Sequence, residues 1–355
     1  MVRQSVPLRM VALAVLAGIV AAACAPPSPS SRSTDAGGAP AQPSGRKKVL
    51  NLGLRTIIDG FSISAAATLA GGGLGYVEIH SQAIFTADRT TGRPIPRLLA
   101  EQPSLDNGGL RLTDDGRMVA TYRLRRDVRW ADGAPFTAND LMFTFNLTRD
   151  RSLPIVDPGP SELMESASAP DDYTFVLTWR EPYYMADAIG LTPFWPLPAH
   201  LLESDYSTMV GEQKDVQAFM ARPYWTSEYV HIGPFKLVEM VQGVEATFDA
   251  VDHYFLGRPK VDRIVVKQFG DPNTLLANIL SGNLDLTTDN ALPIEQGAQL
   301  KESWGGDGGS VWYAYSVSQM CADGKALPTT LRSRSSVAIV MVLQEQPPLK
   351  GVSPA

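Results

Sequence analysis

Cysteine and histidine are scarce in this chain of 355 residues, which holds two of the first and four of the second. The histidines (His80, His200, His231 and His253) are scattered, and none lies in HExxH or beside a second histidine at metal-ligand spacing. There is no GxSxG elbow, and no cysteine–histidine pairing is suggested. Aspartates and glutamates fall in turns and at helix starts, where capping and solvation are the default roles. These absences argue against an enzyme and give no metal or cofactor set. The net charge of −6 provides no basic excess to attract nucleic acid. Glycines crowd residues 71–75 (GGGLG), but GxGxxG spacing is missing and no Lys-Ser/Thr follows, so the stretch reads as a loop rather than a phosphate cradle.

What is present begins at the N-terminus. Arg3 and Arg9 precede an apolar run, Met10 to Val20, then Ala21-Ala22-Ala23 and Cys24. A basic start, a short apolar core and small residues are the parts of a secretory signal. The run falls short of the roughly 18–20 residues that span a bilayer, and no second run is long enough. The cysteine after the small residues resembles the lipobox of bacterial lipoproteins, although Ala21 holds the place usually taken by Leu. That resemblance implies cleavage before Cys24 and a diacylglyceryl group on it. Stable anchoring takes more than one acyl chain, which such a group supplies. Residues 24–45, rich in Pro, Ser, Ala and Gly, read as a flexible tether. With Cys24 lipidated, Cys321 has no intramolecular partner for a disulfide.

Behind the tether the composition is globular, the whole chain being 44% hydrophobic and 19% charged. Val49 to Leu54 reads as a buried first strand. Val119 to Leu124 alternates and is rich in strand formers. The stretch RRDVRWADGAPFTANDLMFTF follows, with Trp130 on a short strand and a tight turn at Asp132-Gly133. Thr137 and Asp140 make a capping box that opens a helix with Leu141 and Phe145 on one face. Trp130 and Phe136 read as core. Gly233-Pro234 sets a turn before a strand, and Leu275 to Leu280 reads as a helix closed by Gly282.

The order Tyr122, Leu124, Trp130, Asp132, Gly133, Phe136, Thr137, Ala138, Asp140, Leu141 resembles the hallmark of the family 5 solute-binding proteins of ABC importers, the peptide and nickel group. Five further segments resemble that family in the right order: Gly92 to Glu101, Leu197 to Leu202, Gly233 to Leu237, Tyr254 to Ile264 and Leu280 to Leu286. The resemblance implies an α/β fold of the periplasmic-binding-protein type II, two-lobed, that binds an oligopeptide or similar solute by hinge closure and hands it to ABC permease subunits. It also implies export, lipid anchoring on the periplasmic or cell-surface side, and no catalysis. In the family the loop after the first strand faces the cleft, which marks Asp59, Phe61 and Ser62. His80 and Gln82 are taken to follow a second cleft-facing loop.

The expected organisation is a signal peptide at 1–23, a linker at 24–45, a first lobe with an inserted subdomain at 46–266, and the start of a second lobe at 267–310. The crossing into that second lobe is expected near Arg263 to Lys267. Residues 311–355 lack the family's pattern, apart from an apolar run at Val337 to Leu343, and are expected to be a disordered or misframed tail. On this expectation the second lobe is incomplete, and the chain binds weakly or not at all. A sensor or adhesin role on the cell surface is the non-transport alternative. Translating the downstream DNA in the other two frames tests the frameshift, and finding no second-lobe motifs there removes it.

Overall fold

The computed structural model describes residues 47–55, 57, 60–61, 76–88, 91, 93–154, 159–189, 194–287, 291–304, 310–317 and 336–343. The chain divides into two compact units, Met1–Gly45 and Arg46–Ala355, and all of these residues belong to the second. Cys24, Asp59, Ser62 and the glycines of 71–75 lie outside the described residues.

Val49–Leu54 forms the first strand (β1), as its apolar run implies. Two strands pair with it in parallel. Arg263–Gln268 (β10) runs along its whole length, and Leu286–Thr287 (β11) adds two rungs on the other side. Phe235–Val241 (β8) and Glu245–Ala250 (β9) extend the sheet antiparallel beyond β10. The side chains of Leu52 and Leu54 point to a core made with Ile264, Val266, Phe248 and the helical turn at 76–80. Gly53 points to the opposite face. A β-carbon there would lie 2.7 Å from Leu284 Cδ1 and 2.8 Å from Leu275 Cδ1, so only glycine lets the helix Pro272–Leu280 approach β1 this closely. Asp271 caps that helix by accepting from the Thr274 backbone N–H at 2.8 Å, and Gly282 closes it at φ +74°.

A second sheet is inserted between β1 and β8. It runs in the order Leu110–Leu112 (β4), Met118–Arg123 (β5), Thr174–Trp179 (β7), Met164–Asp171 (β6). A short hairpin, Phe85–Ala87 (β2) with Pro94–Pro96 (β3), precedes it. The helix Ala138–Thr148 (α1) packs on this sheet, with Trp130, Phe136, Tyr122, Phe175 and Trp179 buried in a common core. Asp140 fixes the start of α1. Its carboxylate accepts from the Thr137 N–H at 2.8 Å, the Trp130 indole N–H at 3.2 Å and the Ala199 N–H at 3.0 Å. Around Asp132-Gly133 the expected Trp-bearing strand is only an isolated bridge, Arg129 to Pro135.

The helix Pro272–Leu280 returns the chain so that β11 pairs with β1, and residues 263–287 form a strand–helix–strand unit of the first sheet. The stretch expected as a disordered or misframed tail also contains order. After the helix Ile294–Trp304, Ser310–Val317 (β12) pairs over its whole length with Ser336–Leu343 (β13), which joins β11 through Leu286 and Leu343. Aromatic and β-branched residues in Ser310–Val317, and β-branched residues in Ser336–Leu343, favour that pairing.

Candidate functional site

Strands β1, β10 and β11 end side by side with β1 in the middle. The chain passes from β10, on one side of β1, to β11 on the other, so the strand order switches about β1. In open α/β sheets ligands bind outside the carboxyl ends of the strands at such a switch. The rim there is assembled from separated segments. Residues 55, 57 and 60–61 follow β1, 241–244 turn between β8 and β9, 268–271 follow β10, and buried Thr287 ends β11. Backbone bonds join them: Phe269 N donates to Leu54 O at 2.8 Å, Gln268 N to Val244 O at 2.8 Å, and Phe61 N to Trp225 O at 2.7 Å.

Behind the rim stands a buried cluster of rings. Phe61 stacks on Tyr229 at 3.9 Å, and Tyr229 stacks on His231 at 5.8 Å. His80 stands edge-on to Phe61 and Tyr229 and stacks on Phe248 at 5.6 Å. Its Nδ1 lies 2.7 Å from Ser81 Oγ, which lies 2.9 Å from the Tyr229 hydroxyl. The His231 Nδ1 accepts from the backbone N–H of Ile232 at 2.8 Å and of Gln82 at 3.3 Å, which leaves its proton on Nε2. The Gln82 amide oxygen accepts from the Tyr254 hydroxyl at 3.0 Å.

The electrostatics follow from burial. Desolvation drives the His80 pKa well below its ordinary value, with the nearby His231 adding to the effect. Desolvation likewise pushes His231 down to about 3, against a hydrogen bond to the Pro196 backbone. The Tyr76 and Tyr229 hydroxyls are pushed up by the same cause, and Tyr254 is pushed up to about 12. Both histidines are therefore neutral near pH 7. Such a cluster fixes loops and packs rings. Among the described residues no group of three His, Cys, Asp or Glu side chains is placed to hold a metal ion.

Of the residues marked from sequence, Phe61, His80 and Gln82 meet in this one cluster. They are buried beneath the rim rather than exposed on it, at 5%, 2% and 7% exposure. Tyr229, His231, Phe248 and Tyr254 complete the cluster. Of these, Tyr254 lies within a motif recognised from sequence and His231 lies two residues before the Gly233-Pro234 pair. Gly233 itself is pressed against the His80 backbone, where a β-carbon would lie 2.2 Å from the His80 carbonyl carbon. Its role is close approach as well as a turn.

The folded body matches solved solute-binding proteins. An oligopeptide-binding protein from Thermus thermophilus, solved with a pentapeptide, superposes with a TM-score of 0.65 at 21% identity, covering 76% of this chain and 49% of that one. NikZ from Campylobacter jejuni, solved with Ni(L-His), superposes with a TM-score of 0.59 at 18% identity, covering 77% and 48%. The fold is thus the α/β periplasmic-binding-protein type II architecture. Residues 94–319, more than half of the chain, match the bacterial extracellular solute-binding proteins, family 5 (middle region), and the chain belongs to that family. An ABC transporter peptide-binding protein of Brucella ovis is 32% identical over 172 residues, which cover 48% of this chain and 30% of that protein. The chain spans about half the length of the solved chains it matches. These relatives are named for binding rather than for catalysis.

Proposed function

We propose that this chain captures a peptide or similar small solute for an ABC importer and passes it to the permease subunits. The observation that carries this reading is the switch point about β1, in a chain of family 5, with its rim assembled from loops far apart in sequence. The solute sits at the carboxyl ends of β1, β10 and β11. Phe61, His80 and Gln82 hold the floor beneath it, and Asp59 and Ser62 lie close to Phe61 in the sequence. Capture and hinge closure need no covalent step. Cys24 carries the lipid that holds the exported chain at the membrane surface, with residues 24–45 as the tether.

Isothermal titration of the purified full-length chain against a peptide mixture tests capture. Saturable binding supports it. No binding up to about 1 mM, the weak end of specific recognition, overturns it and favours the binding-deficient alternative. Replacing Cys24→Ala is expected to move the chain from the membrane fraction to the soluble fraction, and an unchanged distribution removes the lipid assignment.

A further inference from the structure

Three aliphatic side chains are exposed on the rim of the switch point, among exposed polar residues that include Arg55 and Gln242. Ile57, just past β1, is 53% exposed, and Val241 and Val244, flanking the turn between β8 and β9, are 44% and 56% exposed. Single exposed aliphatic residues are ordinary on a protein surface. Here Ile57 lies against the turn that Val241 and Val244 flank. A β-carbon at Gly243 would meet Ile57 Cγ2 at 3.6 Å, and one at Gly270 would meet Ile57 Cδ1 at 3.9 Å. The two glycines flank Ile57 without covering it. Gly243 has φ +71°, a conformation that keeps side chains away from this position. The nearest acidic group on the β10 loop, Asp271, is already engaged, since its carboxylate accepts from the Thr274 N–H at 2.8 Å and from the Thr274 hydroxyl at 2.9 Å.

We propose that Ile57, Val241 and Val244 form an apolar subsite that selects solutes presenting an uncharged aliphatic or aromatic group at the carboxyl end of β1. The proposal rests on the capture reading and specifies it. An apolar wall discriminates in two ways. It removes an apolar group from water, and its aliphatic atoms do not replace the hydration a charged group loses. Neither contribution needs movement of the buried ring cluster, so selectivity and fold stability are separable here. The conservative change Ile57→Val keeps an aliphatic surface, and Ile57→Asp replaces it with a charge at a position exposed enough to tolerate one.

The test is titration of the full-length chain with two pentapeptides, Ala-Ala-Leu-Ala-Ala and Ala-Ala-Asp-Ala-Ala. Wild type is expected to bind the leucine peptide about tenfold or more tightly, the scale on which a pocket discriminates small apolar groups. Ile57→Asp and Val244→Asp are expected to abolish or reverse that preference, and Ile57→Val to retain it, with unchanged far-ultraviolet circular dichroism in all three. Equal affinity for the two peptides, or a preference that survives both aspartate variants, overturns the subsite and leaves capture standing. Failure of every peptide to bind overturns capture itself, and the subsite falls with it.

Discussion

The inserted four-stranded sheet and the seven-stranded sheet around β1 are built to different ends. The inserted sheet closes over Trp130, Trp179, Tyr122, Phe136 and Phe175, all fully buried, and its helix start is tied by the three donors on Asp140. The β1 sheet is equally tight at mid-strand, where Gly53 admits the helix above it. At its carboxyl end it opens into turns, an aliphatic rim and a floor of stacked rings. Rigid packing and an adaptable edge thus sit in separate parts of the body, as expected where a scaffold positions loops that do the binding.

Removing a ring from the inserted core should have the largest effect. Trp179→Ala deletes a side chain with no exposed surface that stacks on Tyr183 at 4.5 Å, and a loss of roughly 3–5 kcal/mol is expected in chemical denaturation. A loss under 1 kcal/mol would break the contrast between the two sheets.

Gly233→Ala comes next. Its new methyl has no room beside the His80 backbone, so a cost of about 1–3 kcal/mol is expected, together with altered near-ultraviolet circular dichroism from the displaced rings. Full retention of both signals would show that the floor yields.

The pH dependence of stability sharpens the comparison, because the two regions pull in opposite directions. In the ring cluster His80 and His231 bind protons less readily folded than unfolded, so each lowers stability as pH falls below about 6.5. In the inserted region burial pushes Asp140 up to about 6 against its three donors, so it binds a proton more readily when folded. Asp140 therefore adds stability as pH falls from about 6 towards 4. Two histidines outweigh one aspartate, and net stability should decline between pH 6.5 and 4. In Asp140→Asn the decline should be steeper, on top of a cost of about 1–3 kcal/mol at pH 7 from mismatched donors. Urea midpoints across that range check both, and a shallower slope in the variant contradicts the assignment.

The smallest effect on stability belongs to the rim. Ile57→Asp should shift the urea midpoint by no more than about 0.5 kcal/mol equivalent, as at other exposed positions.

How much of this could be read in advance depended on the distance over which each feature is decided. The helix starting at Thr137, the strand at Val49–Leu54 and the stop at Gly282 are written in neighbouring residues, and all three are found where local chemistry puts them. The pairing of β11 with β1 is not local. Asn51 N donates to the Asp285 carboxylate at 2.7 Å across 234 positions, and nothing in the run at 263–267 announces that the chain will return. The strands at 310–317 and 336–343 likewise depend on finding each other. For the candidate site, Phe61, His80 and Gln82 pointed to one neighbourhood, but a cluster completed by Tyr229, His231, Phe248 and Tyr254 depends on four separate segments meeting. Ile57 carried no signal, because one exposed isoleucine acquires meaning only beside the glycines that leave it bare.

The central place of β1 also bears on synthesis. The first strand of the body is flanked by two strands that come more than 200 residues later, so the sheet cannot close until residue 287 is free to join it. A chain emerging from its N-terminus stays open through most of its synthesis, and long-range closure of this kind is slow. Late closure exposes the incomplete sheet to chaperones and proteases for the same interval.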